Sequence, residues 1–205
     1  MKLLIVIDTL GSGGAQRLKV QLAKGLVRKK HNVEFFIYDA NHNFFESELV
    51  EAGIKIHIAE RNSEGFSFNV IKELRKIIKY NKYDYVISSL HSPGIYSAFA
   101  LFWLKKTKLI VCEESSSNAK ISVLKRYLFY FATLVANFVV ANSFHESELI
   151  KKLPGRSKKT KVIWNGLDLN SIKYRSNINH LEKGISKLLV VGRVAYPKNG
   201  INLLK

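Results

Sequence analysis

The stretch Leu3-Leu4-Ile5-Val6-Ile7-Asp8-Thr9-Leu10-Gly11-Ser12-Gly13-Gly14-Ala15-Gln16-Arg17 joins a short apolar run to a segment of helical periodicity through a glycine-rich turn. The run is too short for a signal peptide and Asp8 interrupts it, so it reads as a buried strand. Beyond the turn, Ala15, Leu18, Leu22 and Leu26 recur at helical spacing, with Lys19, Lys24 and Arg28 off that face. A helix starting near Gly14 offers free backbone N–H groups where its dipole favours anions. Strand, glycine turn and helix together are the opening unit of an α/β sheet.

The same alternation continues along the chain. Apolar runs occur at Val33–Tyr38, Ile54–Ile58, Tyr85–Ser88, Leu109–Cys112, Phe138–Ala141, Lys161–Trp164 and Leu188–Val191. Most are near-continuous in Ile, Val, Phe or Tyr, the pattern of parallel strands covered on both faces. Helical spacing returns between them, as at Val70, Leu74, Ile77 and Ile78. The expected architecture is a Rossmann-like, doubly wound, mostly parallel α/β sheet. Tyr127 to Ala141 is strongly apolar, but a bilayer-crossing helix needs about 20 residues. Asn137 divides it into a helix and then a strand. The expected organisation is a domain over residues 1–164, a polar linker over 165–187, and the first strand and partial helix of a second domain over 188–205. The chain reads as cut off just inside that second domain.

Of the 205 residues, 47% are hydrophobic and 24% charged, the balance of a soluble globular protein. The single cysteine, Cys112, sits in an apolar run and reads as a buried thiol; a cytoplasmic location follows by default. The net charge of +17 is unevenly spread, since residues 151–205 hold 13 of the 33 basic and 2 of the 16 acidic side chains. The run Lys151–Lys161 has six cations and no acid, which suits either a solvated loop or an anionic surface. Lys120, Lys125 and Arg126 beside Tyr127, Phe129 and Phe131 would let one helix lie on a membrane surface.

Several chemistries are excluded. No two of the six histidines stand three or four apart, as a helical zinc pair would require. No Asp-x-Asp pair is present to hold a divalent metal on a diphosphate, and neither a Gly-x-Ser-x-Gly elbow nor a Walker A pattern occurs. Glu46 with Glu48, and Glu146 with Glu148, read as pairs on surface helices. As a dinucleotide fingerprint the glycine turn gives Gly11-x-Gly13 and fails at Gln16, although Asp39 could still receive a ribose. Far along the chain, Val191-Gly192-Arg193 precedes Lys198-Asn199-Gly200. Arg193 leaves the carboxyl end of a strand and Lys198 starts a helix, a cationic clamp suited to a diphosphate.

Taken in order, these pieces resemble glycosyltransferase family 4, enzymes with the GT-B fold of two facing Rossmann-like domains. Gly13-Gly14-Ala15-Gln16-Arg17 with Leu22-Ala23 and His31-Asn32-Val33 is similar to the family's opening. Ala141-Asn142-Ser143 resembles its strand-end serine motif, and Val162-Ile163-Trp164-Asn165-Gly166-Leu167-Asp168 its crossover between domains. Val191-Gly192-Arg193 with Lys198-Asn199-Gly200 resembles its donor motif. The resemblance implies an N-terminal GT-B half with a truncated second domain. It implies transfer of a sugar from a nucleotide-sugar to a lipid-linked or polysaccharide acceptor, retaining configuration, with no metal and no cofactor. Arg193 and Lys198 would bind the donor diphosphate, and Gly13 and Gly14 would border the cleft.

Cys112-Glu113-Glu114-Ser115-Ser116 departs from the family pattern. Glu113 matches a family glutamate, while Glu114 replaces a basic or imidazole residue. The resemblance makes Glu114 and Glu113 the candidate catalytic residues; either carboxylate could contact acceptor hydroxyls or simply cap the next helix. His91 stands at a similar strand end, where it suits the acceptor side or an ordinary helix start. With most of the donor domain missing, the 205-residue chain is expected to be poorly active, cytoplasmic, and peripheral on the inner face of the plasma membrane. No nucleic-acid motif occurs. Two other classes stay open: a non-catalytic basic membrane-binding half-protein, and an NAD-dependent oxidoreductase using Gly11, Gly13 and Asp39.

Overall fold

A computed structural model of the chain describes residues 1–61, 65–114 and 122–169. The chain divides into two compact units, Met1–Asp168 and Leu169–Lys205. The expected strand at Leu188–Val191, the second-domain helix and the linker beyond residue 169 lie outside the described residues.

The first unit alternates strand and helix throughout. In order it contains β1 (Lys2–Val6), α1 (Gly14–Arg28), β2 (Asn32–Ile37), α2 (Glu46–Glu51), β3 (Lys55–Ile58), α3 (Phe68–Asn81) and β4 (Tyr85–Ser89). These are followed by α4 (His91–Leu101), β5 (Lys108–Glu113), α5 (Val123–Val135), β6 (Phe138–Ala141), α6 (Phe144–Lys151) and β7 (Thr160–Val162). Seven strands form one parallel sheet in the order β3-β2-β1-β4-β5-β6-β7. The chain winds outward from β1 in one direction and then from β4 in the other. In such sheets the crevice at the carboxyl ends of the strands, near the point of reversal, is the ligand position.

Each face has its own core. On one side Ile5, Ile7, Phe35, Ile37 and Cys112 pack with Val20 and Ala23 of α1 and Leu49 of α2. On the other side Leu4, Val6, Phe36, Val86 and Val111 pack with Val70, Leu74 and Ile78 of α3, and with α4 and α5. Both faces of β1 are covered, so Leu4, Ile5 and Val6 are each 0% exposed. Burial on that scale contributes about 1.5–3 kcal/mol per large aliphatic side chain. The division of the apolar segment at Asn137 holds. Its side chain accepts from the Leu109 N–H at 2.8 Å and its own N–H reaches the Leu109 carbonyl at 2.9 Å, ending α5 and aligning β6. No helix among the described residues is long and apolar enough to cross a membrane.

The structure corrects three details. In α1 the buried positions are Lys19, Val20 and Ala23, whereas Leu22 is 39% exposed, so the helix is turned away from the face its leucines mark. Glu146 is buried on α6, unlike the exposed Glu148. The basic run is not simply solvated: Arg156 donates to the Tyr130 and Pro154 carbonyls, and Lys159 to those of Leu134 and Ala136. Both cations thereby serve carbonyls in and just beyond the last turns of α5, where the helix dipole favours positive charge.

At the opposite end of the sheet from the strand termini, Glu34 is buried in a polar cluster. It accepts from the Tyr83 hydroxyl and from His57 Nε2, both at 2.6 Å, and Lys2 Nζ lies 3.2 Å away. Burial alone would raise the Glu34 carboxyl, but the hydrogen bonds from Tyr83, His57 and Lys2 outweigh it and hold it below the ordinary value. Because the folded-state value is depressed, this stabilisation is present above the unfolded carboxylate range and is lost as pH falls through the folded value. Glu34→Gln is expected to cost about 2 kcal/mol at pH 7. In urea titrations the gap between wild type and variant should narrow progressively as pH falls below about 4; a gap that does not narrow there would refute the assignment.

Candidate functional site

The loop after β1 is tied down before it reaches α1. The Asp8 carbonyl accepts the N–H groups of Tyr38 and Asp39, and the Thr9 hydroxyl donates to the His42 carbonyl at 2.7 Å. Asp39 accepts the Asn41 N–H at 3.1 Å, closing its own turn. The Asp8 carboxylate accepts the Thr9 N–H at 2.9 Å and the Gln16 side-chain amide at 3.2 Å; burial nonetheless pushes this carboxyl up. Gln16, the residue that spoils the dinucleotide fingerprint, is therefore an anchor that folds the start of α1 back onto the strand end. A Cβ on Gly13 would stand 2.2 Å from Gln16 Oε1, so the anchor explains that glycine.

Gly14 has a different environment. Among the described residues nothing lies within 4 Å of where its Cβ would be. Gly13 is the N-cap and supplies no side-chain oxygen, so the first N–H groups of α1 have no intrahelical partner and no capping side chain at that position. They border a cleft of about 520 Å³ lined by Gly14, Ala15, Arg17, Leu18 and Gln21 of α1, by Glu114 after β5, and by Asn165 and Leu167 after β7. Arg17 is committed elsewhere. It pairs with Glu48 at 2.5 Å, shares that carboxylate with Lys24, and lies over the Phe45 ring.

Glu114 forms part of the cleft wall through a buried ion pair. Lys19 Nζ lies 2.5 Å from Glu114 Oε1, and both side chains are 7% exposed. Burial opposes the charge on Lys19, but the ion pair with Glu114 outweighs it and holds the ammonium above the usual lysine value. Burial pushes the Cys112 thiol up, so it is neutral near pH 7 and Glu114 supplies the counter-charge. This pairing is also why α1 buries a lysine. Isolated charge at such depth is prohibitive, whereas a paired one is tolerated.

Glu113 and His91 lie on the other side of the sheet. His91 is the first residue of α4, its Nε2 3.3 Å from Glu113 and its ring edge-on to Phe129 at 4.5 Å. The preceding residue, Leu90, has φ 74° and ψ 168°, a region that only glycine adopts without strain. His91 and Glu113 line a small cavity of about 50 Å³ with Arg126, Tyr130, Thr133 and Glu146. Gly14 and Glu114 thus belong to one cleft, and Glu113 with His91 to a second, smaller one, while Gly13 faces Gln16 and does not line the first. Ser143 is the N-cap of α6, accepting the Glu146 N–H at 3.2 Å. Arg193 and Lys198 lie outside the described residues. Sequence reasoning missed Lys19 and Gln21; the only sign of the first was a lysine between apolar positions of α1.

Comparison with known proteins places this geometry. Residues 12–171 match the family described as Glycosyltransferase Family 4. One relative is GalNAc-alpha-(1->4)-GalNAc-alpha-(1->3)-diNAcBac-PP-undecaprenol alpha-1,4-N-acetyl-D-galactosaminyltransferase of Campylobacter jejuni, 27% identical over 100% of this chain and 56% of its own length. A second from the same organism is N-acetylgalactosamine-N,N'-diacetylbacillosaminyl-diphospho-undecaprenol 4-alpha-N-acetylgalactosaminyltransferase, 23% identical over 99% of this chain and 61% of its own. The chain therefore spans little more than half the length of these relatives. Among solved structures, HepE of Anabaena in complex with UDP and glucose superposes with a TM-score of 0.67 at 22% identity, covering 83% of this chain and 46% of that one. That likeness is one of fold. With the family match running over most of its length, the chain belongs to glycosyltransferase family 4.

Proposed function

We propose that the described unit is the acceptor-side half of a retaining glycosyltransferase that moves a sugar from a nucleotide-sugar to a lipid-linked glycan. The observation that carries this reading is the match, along all or nearly all of the chain, to two transferases whose names specify undecaprenyl-diphosphate-linked acceptors. The cleft supports it physically. The N–H groups at the start of α1, with no capping side chain at Gly13, suit a phosphate, and no described residue lies within 4 Å of the Cβ position of Gly14. In this reading Gly13 shapes the loop, Gly14 borders the ligand and Glu114 faces the acceptor. Arg193 and Lys198, read from sequence alone, neutralise the leaving diphosphate of the donor. Glu113 and His91 support the strand end from behind.

Attachment to the anionic cytoplasmic leaflet would bring the protein to such an acceptor. The start of α5 offers a surface for it: Val123, Leu124 and Tyr127 are 67%, 69% and 67% exposed beside Lys125 and Arg126. Phe129, by contrast, is core, and Lys120 lies outside the described residues.

Two measurements test the proposal. The chain should bind farnesyl-diphosphate-linked N-acetylgalactosamine by calorimetry. Gly14→Val should weaken binding at least tenfold without lowering the melting temperature, because the added side chain fills only the cleft. Equal binding by the variant, or none by wild type, would count against the acceptor reading. In vesicle sedimentation, Leu124→Ser with Tyr127→Ser should reduce binding to phosphatidylglycerol vesicles at least fivefold. Unchanged binding would remove α5 from the membrane surface.

A further inference from the structure

The chain from Tyr85 to His145, which supplies α4 and α5, holds six basic residues and two acidic ones, Glu113 and Glu114. Both carboxylates are buried against their nitrogen partners. Among the described residues, every charge this segment shows to solvent is therefore positive: Lys105, Lys106, Lys108, Lys125 and Arg126.

Within that cationic surroundings stands a built aromatic corner. Because α4 starts after β4 and returns to the start of β5, it ends at the amino end of the sheet. The carbonyls of Ala100 and Phe102 accept from Arg75 Nη1 of α3 at 2.9 and 2.8 Å, which fixes the chain as it leaves the helix. It then turns through Trp103 at φ 70°. A bulky residue adopts that left-handed conformation only under strain. Core packing does not call for it, since Trp103 is 81% exposed. Its ring leans on Phe102 at 4.8 Å, Phe102 on Phe131 of α5 at 6.2 Å, and Phe131 on Phe99 at 5.5 Å. Phe131 is one turn beyond Tyr127 on the same face of α5, and Tyr127 one turn beyond Leu124; both of these are exposed. An apolar strip thus follows the whole of α5, about 20 Å by helical rise, from the carboxyl end of the sheet to the corner after α4.

Resting on the membrane attachment proposed above, we infer that the Phe102–Trp103 corner is a second membrane anchor, so that the α4–α5 layer lies flat on an anionic bilayer. The Trp103 indole enters the headgroup region, where amphipathic aromatic rings collect, and Lys105 and Lys106 meet acidic headgroups. The charge pattern selects this occupant. Two copies of the chain meeting through this face would set like cations against each other, whereas an anionic leaflet matches all of them. Attachment at both ends of α5 sets the strand axes along the membrane. The carboxyl ends of the strands, with the glycine loop, then open at the side of the bound surface and not beneath it.

Trp103 and Trp164 are the two tryptophans of the chain, so Trp164→Phe leaves Trp103 as the sole reporter. On vesicles of equal phosphatidylglycerol and phosphatidylcholine its emission should shift to the blue and be quenched by lipid brominated high on the acyl chains. In vesicle sedimentation, Lys105→Glu with Lys106→Glu should weaken binding about tenfold, in keeping with the attraction of a juxtamembrane lysine to anionic lipid. Trp103→Gly should weaken it about fivefold through the lost apolar burial. Glycine also accepts the left-handed backbone, so the melting temperature of Trp103→Gly should be retained or rise; weaker binding by that variant is then not unfolding. Unshifted Trp103 emission on bound protein, or both corner variants binding as wild type does, overturns the corner; loss of binding in Leu124→Ser with Tyr127→Ser would in that case confine attachment to the start of α5. Absence of vesicle binding by wild type overturns the attachment itself and the corner with it. A dimer in analytical ultracentrifugation that Trp103→Gly dissociates would give this face to a second copy and also overturn the inference.

Discussion

The constraint on which the site depends is the two-residue repeat of β5 in a sheet covered on both faces. Leu109 and Val111 enter one core and Cys112 the other. The same alternation, carried past the end of the strand, sends Glu113 toward α4 and Glu114 toward α1. A slip of one residue in the pairing of β5 would exchange both carboxylates and bury apolar side chains in their places. Register is therefore fixed by the apolar residues, and the acidic pair inherits its division from them. Each carboxylate meets its own nitrogen partner, Lys19 on one side and His91 on the other.

That division explains what the sequence made legible and what it hid. The strands were readable because burial on both faces leaves near-continuous apolar runs, as in Phe35, Phe36 and Ile37, and their parallel pairing follows from the alternation with helices. The break at Asn137 was readable because one polar side chain between a helical and a β-branched segment has a single economical use, pairing with the backbone of β5. The orientation of α1 was not. Hydrophobic periodicity places leucines inward and lysines outward, and here a buried carboxylate 95 positions away in sequence draws Lys19 inward while Leu22 stays half exposed. No local pattern encodes a partner at that separation.

The glycine loop shows the same limit at shorter range. Compared with a dinucleotide fingerprint, Gln16 looks like a defect; in the fold it is held by Asp8 and leaves no room for a side chain on Gly13. Gly13 and Gly14 then have unlike reasons to be glycine. The first makes room for an internal contact, while the second has no described residue within 4 Å of its Cβ position. Only a position of the second kind keeps the helix start accessible from outside.

Leu90 extends this argument to the other side of the sheet. A bulky residue at φ 74° costs on the order of 1–3 kcal/mol, and it directly precedes the histidine that meets Glu113. The chain must turn at the end of β4 so that α4 begins with His91 under the carboxylate, its ring against Phe129. Relaxing Leu90 would move that first turn and with it the support of Glu113. Because Glu113 and Glu114 are consecutive, displacement of the first would also shift the second from Lys19. The strained turn after β4 and the buried ion pair on α1 are in this way two supports of one strand end, on opposite faces of the sheet. The position of the cleft's acidic wall depends on both.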